Sequence, residues 1–264
     1  DDIYVLQYFI DSSQNSIYPP PSNMSPIDLG VQEWEEGRLT LFCFSYISES
    51  ECYIYDYTLS GQIPPEIGNL TQLRRLIIAT TQLTGEIPPE IGNLVNLTEL
   101  KIYMSNISGE IPDEIGNLIN LTDLYLKENN LSGAIPNEIN NLSQLDRLFL
   151  EYNDLSGPIP YNLNNLQNLR YCNLKHNDLT GQIPESIGDL SSIIGLSLAH
   201  NELTGTVPNN ICNIAEDNVY VYLYGNQLCP PYPECLTDEQ LNGSWMTGGG
   251  DEDHQDISNC PDCL

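Results

Sequence analysis

The apolar positions of this chain recur with a fixed period. Leu145, Leu148, Leu150 and Leu155, with Asn153 between the last two, spell L-x-x-L-x-L-x-x-N-x-L. A Ser or Thr, a Gly, one variable residue and an Ile-Pro pair follow. Ile63-Pro64 returns as Ile87-Pro88, Ile111-Pro112, Ile135-Pro136, Ile159-Pro160 and Ile183-Pro184, then as Val207-Pro208, at intervals of 24 residues throughout. A unit this short cannot bury its own apolar face. Stacking on its neighbours is what stabilises it, so a strict period of this length predicts a solenoid.

Within a unit the spacing sets the local structure. Leu148 and Leu150 are two apart, so on a short strand both point inward and Phe149 between them points out. Stacked strands of this kind predict a parallel sheet, buried on one face. Asn129, Asn153, Asn177, Asn201 and Asn226 share a column and are expected to form a ladder, their amides satisfying backbone groups at the turn out of each strand. Tyr57, Thr81 and Ser105 hold that column in the first repeats, which predicts a less tightly tied N-terminal end. Cys172 stands at an inward Leu position and reads as a buried, inert thiol.

These residues resemble the plant-type class of leucine-rich repeat, L-x-x-L-x-L-x-x-N-x-L-[ST]-G-x-I-P-x-x-I-G-N-L, from about residue 52 to 228. The resemblance implies an α/β solenoid: a right-handed arc with a parallel concave β-sheet, short 3-10 or loop segments on the convex side, and disulfide caps. A second small sheet is implied around the Ser/Thr-Gly-x-Ile-Pro segments. The class builds ectodomains of plant receptor kinases and polygalacturonase-inhibiting proteins, and it occurs in secreted microbial proteins. Fold does not carry function with it, so the partner has to be argued from the site.

Open solenoid ends need covering. Residues 1–58 read as an N-terminal cap, 59–228 as the solenoid and 229–264 as a C-terminal cap with an acidic tail. In the first, Ile3, Leu6 and Ile10 fit a helical stripe and Leu39 to Tyr46 alternates like a strand. Trp34, Cys43 and Cys52 resemble the family's N-cap at a spacing that is not the usual plant one. Near the other end the register slips by one residue at Val221, Leu223, Asn226 and Leu228, before Cys229-Pro230-Pro231 and the linker-like Gly248-Gly249-Gly250-Asp251-Glu252-Asp253. Cysteines gather at both ends: Cys43 and Cys52, then Cys212, Cys229, Cys235, Cys260 and Cys263. That grouping points to disulfides and an oxidising compartment, and it leaves one of the seven free or bonded to another chain. Zinc is the competing reading of Cys260-Pro261-Asp262-Cys263. Cys229 and Cys235, with five residues between them and no flanking His, make a poor second ligand pair.

Charge narrows the function. Eight Lys and Arg against 37 Asp and Glu give a formal charge of −29. Such a surface repels nucleic acids and anionic lipids, attracts cations, and leaves calcium open as a partner. No run of 18 apolar residues is present, so no membrane insertion is expected. No basic stretch leading into an apolar one opens the chain, so a secretion signal is expected to have been removed. No catalytic motif appears and no cofactor or metal is implied, so an enzyme is not expected.

Seven of the eight basic residues map to outward strand positions: Arg74, Arg75, Lys101, Lys127, Arg147, Arg170 and Lys175, with Arg38 the exception. Glu51, Asp56, Glu99, Asp123, Glu128, Asp146 and Glu151 share that face. One reading is a mixed-charge binding surface. The other is an alternating ladder that stabilises the sheet by itself, as in Lys127, Glu151 and Lys175 or in Asp146 and Arg170. Tyr53, Tyr55, Tyr103, Tyr125, Phe149, Tyr152, Tyr171, Tyr222 and Tyr224 map there too, and exposed Tyr beside Arg is the composition of interface hot spots.

The candidate ligand-binding set is therefore Tyr53, Tyr55, Arg75, Lys101, Tyr103, Tyr125, Lys127, Phe149, Tyr152, Arg170, Tyr171 and Lys175, with Tyr125 and Phe149 as anchor. The expected function is a secreted or cell-surface recognition module for a protein or a glycan. The alternative is a structural protein whose copies assemble into a filament or surface layer, bridged by cations. His176 and His200 share a column, about 5 Å apart at the strand spacing, and read as solvated histidines before a metal site. Sequons occur at Asn23, Asn69, Asn96, Asn106, Asn120, Asn130, Asn141 and Asn242, most of them written by the repeat consensus. The Ser/Thr column from Ser60 suggests a flat ice-binding array, but the family consensus already demands Ser/Thr there, so ice binding is not the expected function.

Overall fold

The computed structural model describes residues 2–45, 57–215, 219–242, 255–258 and 260. Two sheets run the length of the stack. The larger starts with an antiparallel pair, Val31–Glu35 and Arg38–Ser45. Seven strands follow in parallel: Arg75–Ala79, Glu99–Tyr103, Asp123–Tyr125, Arg147–Phe149, Tyr171–Asn173, Gly195–Ser197 and Tyr220–Tyr222. Leu148 pairs with Leu124 on one side and Cys172 on the other, so the 24-residue period is the sheet register itself. That register sends Leu124, Leu148, Leu150 and Leu196 into one continuous core. The second sheet, from Ser60–Gln62 to Gln227–Cys229, is built on the Ser/Thr-Gly-x-Ile-Pro segments.

Short 3-10 helices such as Pro65–Asn69, Asp113–Asn117 and Glu185–Asp189 line the convex side. Their glycine is a packing requirement, since a Cβ on Gly116 would lie 2.7 Å from the carbonyl oxygen of Glu138 in the next repeat. Asn140 occupies that slot one repeat later, and the segment it abuts, 161–165, forms no 3-10 helix. The core near Cys172 also holds a void of about 20 Å³, where a thiol stands in for a leucine.

The asparagine ladder forms as expected. Asn153 Oδ1 accepts the Leu131 N–H at 3.0 Å, while its Nδ2 donates to the carbonyls of Leu126 at 3.1 Å and Leu150 at 3.0 Å. Asn177, Asn201 and Asn226 repeat the arrangement, and the slip before Asn226 is absorbed without loss of its bond to Leu203 N–H. In the first repeats the Thr81 and Ser105 hydroxyls bond each other at 2.8 Å instead. One step before the ladder, Thr80, Met104, Glu128, Tyr152, His176 and His200 all hold φ between 51 and 57°. This left-handed turn lies at or a few residues past the end of each strand and carries those side chains to the margin of the face.

At the N-terminal end, helix Asp2–Ser12 buries Val5, Leu6, Phe9 and Ile10. The apolar stripe therefore runs through Val5 and Phe9, and Ile3 is only partly buried at its margin. Phe9 stacks on Phe42, with ring centroids 5.8 Å apart. Ser12 and Ser13 bond the backbone of Ser60, so the helix closes the open edge of the second sheet. The strand expected over 39–46 is Arg38–Ser45. It is buried along nearly its whole length rather than alternately, because Leu41 and Cys43 pack with Ile77 on the outward side while Phe42 and Phe44 join the core. Glu36 and Gly37, at φ 49 and 78°, form the tight turn that pairs this strand with Val31–Glu35.

At the other end Cys212 bonds Cys235 and Cys229 bonds Cys260, which removes the zinc reading of this cluster. Cys43 is also disulfide-bonded. Cys52 and Cys263 lie outside the described residues. A short helix, Asp238–Asn242, buries Leu241 against the last repeat. Among the described residues no helix is long and apolar enough to cross a membrane.

Candidate functional site

The outward positions of the large sheet form three columns. Arg75, Glu99, Asp123, Arg147, Tyr171, Gly195 and Tyr220 make the first, and Ile77, Lys101, Tyr125, Phe149, Asn173, Ser197 and Tyr222 the second. Tyr103, Lys127, Glu151, Lys175, Ala199 and Tyr224 follow in the third.

Opposite charges meet along these columns, within a strand, and beside them at Asp146 and Arg170. Arg75 reaches Glu99 at 2.9 Å, Lys101 reaches Glu99 at 2.7 Å and Arg147 reaches Asp123 at 2.9 Å. Arg170 binds both oxygens of Asp146, and its hydrogen bonds hold that carboxyl below the usual carboxylate range. Burial pushes Glu99 up, but the Lys101 hydrogen bond and the Lys101 and Arg75 charges outweigh it and leave the group below its ordinary value. Glu151 goes the other way. Burial raises it more than Lys127, 4.0 Å away, and Lys175 can offset. The basic residues nominated from the sequence are thus largely engaged within the sheet. Arg38 pairs off the face, with the buried Asp2.

The aromatic residues form a second pattern over the first. Tyr125 and Phe149 lie 4.6 Å apart between centroids, tilted by 43°. Lys101 stands 5.0 Å above the Tyr125 ring and Lys175 5.1 Å above that of Tyr152. Burial, reinforced by the Asp123 charge, pushes the Tyr125 hydroxyl up to about 12, so it stays a neutral donor at any physiological pH. Tyr103 does not stand out as expected. Only 2% exposed, it is roofed by Lys127 and flanked by Tyr125, and it supports the face from below. Tyr53 and Tyr55 lie outside the described residues.

Along the edge, the left-handed column stacks its rings. His176 lies 4.5 Å from Tyr152 and 4.2 Å from His200, with 8° between the two imidazoles. Parallel rings direct their nitrogens side by side rather than at a common point. Among the described residues no three His, Cys, Asp or Glu side chains gather as metal ligands.

Comparison with known proteins bears on this architecture. Residues 54–157 match the family model described as a leucine-rich repeat region, and 168–190 and 192–214 each match a leucine-rich repeat. The ectodomain of the receptor kinase GASSHO1/SCHENGEN3 from Arabidopsis thaliana, solved with CASPARIAN STRIP INTEGRITY FACTOR 2, superposes with a TM-score of 0.72. It is 27% identical over 89% of this chain and 31% of that one. The chain is a leucine-rich-repeat solenoid, similar to those of plant receptor kinases. The Arabidopsis receptor kinase HAESA, solved with the peptide hormone IDA and the co-receptor SERK1, is 38% identical over 66% of this chain and 29% of its own, with a TM-score of 0.63. The solenoid spans about a third of the length of these receptor chains. A plant ice-binding protein, 23% identical over 89% of this chain and 90% of that one at a TM-score of 0.55, shares the fold. No curated protein sequence matches.

The solenoid also presents residues that the sequence reading missed. Between Tyr171 and Tyr220 the outward positions shrink to Gly195 and Ser197, opening a trough of about 240 Å³ lined also by Phe149, Asn173 and Tyr222. Small residues announce a gap only once their columns are known. Tyr220, 61% exposed, joins Tyr222 and Tyr224 on this face, a direction that the inward Val221 and Leu223 already fix.

Proposed function

We propose that this solenoid is an extracellular, non-catalytic recognition module that binds a protein or polysaccharide partner through the Tyr-rich concave face. One observation carries the reading. On that face the ion pairs largely cancel, and Tyr125, Phe149, Tyr152 and Tyr171 are offered on a rigid sheet, while acids dominate the rest of the molecule. Aromatic side chains on a fixed scaffold lose little freedom on binding, which favours them as anchors. Of the receptor ectodomains that the solenoid resembles, HAESA was solved with a peptide hormone and a co-receptor, and GASSHO1/SCHENGEN3 with CASPARIAN STRIP INTEGRITY FACTOR 2, in keeping with an extracellular setting.

The test is affinity capture from extracellular fluid and from wall extracts on immobilised protein, with Tyr125→Ala/Phe149→Ala as the paired bait. A partner retained by the wild type and lost from the variant supports the reading; equal retention by both contradicts it. The alternative, cation-bridged assembly of the acidic flanks, predicts growth in light scattering on adding millimolar calcium, and strict monomers remove it.

A further inference from the structure

Gly195–Ser197 is the bare strand of the sheet. Its outward residues, and Ala199 one step on, carry the smallest side chains of the three columns. Tyr171 rises on one neighbouring strand, Tyr220 and Tyr222 on the other, with the latter two rings 6.5 Å apart and only 22° from parallel. Tyr171 leans over the glycine, its Cδ1 lying 3.2 Å from where a Cβ on Gly195 would stand, so the glycine makes room for that ring. The space left beside the Tyr220 and Tyr222 rings, about 240 Å³, is enough for a six-membered ring. The trough therefore admits a flat, narrow chain.

We propose that this trough binds a neutral saccharide chain, a refinement that rests on the recognition reading above. The lining has no charged side chain. The surrounding molecule, at −29, repels anionic polymers. An extended peptide would bring a row of N–H and C=O groups, but the backbone on the floor is already committed: Gly195 N–H donates to Arg170 and Tyr220 N–H to Ile194. Apart from the Tyr hydroxyls, only the Asn173 and Ser197 side chains remain to meet that row. A sugar ring makes the opposite demand. Its C–H faces lie against the electron-rich faces of Tyr171 and Tyr220, and its hydroxyls point to the rim, toward Ser197, Asn173 and water.

The sequons give independent support. Seven lie at or before Asn141 and the eighth is Asn242, so the repeats that build the trough carry none. Where Asn106 and Asn130 begin sequons, the later repeats place Asp154, Asp178 and Glu202. Glycans attached in a secretory host would coat the first half of the stack and leave the trough open to a long polymer.

Affinity electrophoresis of the full chain through gels holding hydroxyethylcellulose, 1,3-β-glucan, mannan or arabinoxylan, with polygalacturonate as the acidic control, tests this. Titration with the matching hexasaccharide follows. At least one neutral polymer should retard the protein, and Tyr220→Ala and Ser197→Leu should each weaken hexasaccharide binding at least tenfold with Tm unchanged. Tyr220 is too exposed for its loss to unfold the protein, which keeps the test clean if Ser197→Leu misfolds. No retardation by any neutral polymer, retardation by polygalacturonate alone, or binding that survives Tyr220→Ala overturns the inference. Should a polypeptide bind in a way that Tyr125→Ala/Phe149→Ala abolishes while every neutral polymer is ignored, the trough inference falls and the recognition reading stands.

Discussion

Gln255 does for Leu228 what Asn226 does for Leu203. Its Oε1 accepts the Leu228 N–H at 3.1 Å, and its Nε2 donates to the carbonyls of Leu223 at 2.8 Å and Leu241 at 2.7 Å. The ladder thus ends on a residue recruited from beyond the repeats. Without it, the last turn would leave backbone groups stranded at the end of the core.

Gln255→Ala should cost about 1–3 kcal/mol, the penalty for stranding a buried polar group. Asn177→Ala, inside the ladder, should cost at least as much, because its bonds to Leu155, Leu150 and Leu174 are all buried. Urea unfolding measures both, and amide exchange at Leu228 should accelerate in the first variant only. Wild-type stability in both would refute the ladder's structural role.

Cys172 should be chemically silent in the native protein. It is 7% exposed, and burial with the nearby Glu151 charge pushes its thiol up to about 12. Thiolate is the reactive form, so iodoacetamide at pH 8 should leave Cys172 unmodified in buffer and alkylate it in urea, as read by peptide mass spectrometry. Labelling in buffer at the rate of a free thiol would contradict the packing.

Glu151 and Asp146 should impose opposite pH slopes on stability. The Glu151 carboxyl is raised by burial, so the folded state favours its protonated form. Its stabilising contribution is complete below the ordinary glutamate value and is lost as pH rises through the folded one. Asp146 is lowered by Arg170, so its contribution is present above the ordinary aspartate value and is lost as pH falls through the folded one. Glu151→Gln should therefore raise Tm at pH 7, with the gap closing near pH 4. Asp146→Asn should lower stability at pH 7 by under about 1 kcal/mol, as for a solvent-screened pair, with a correspondingly small fall in Tm, and converge with wild type in acid. The reverse order would show that the charge columns are misassigned.

The solenoid was legible because its determinants are periodic. Leu148, Asn153 and the Ile159-Pro160 pair sit at fixed offsets, and each has one structural job that spacing alone reveals. The caps follow no period, so Gln255 and the Glu36-Gly37 hairpin turn were invisible, and Ile3 was placed in a stripe that belongs to Val5 and Phe9. The face was legible in direction and less so in depth. Alternation told which way Tyr103 points but not that Lys127 roofs it. The trough escaped for a related reason, since it is defined by what Gly195 and Ser197 lack.

The central claim is that binding energy resides on the concave sheet, not on the acidic flanks. The most direct measurement is a titration of the captured partner against three proteins: wild type, Tyr125→Ala/Phe149→Ala on the sheet, and Asp154→Gln/Asp178→Gln on the flank. The account predicts at least a tenfold rise in Kd for the sheet variant, about 1.4 kcal/mol, and a change within twofold for the flank variant. An unchanged Kd for the sheet variant, or a larger loss from the flank variant, would contradict it.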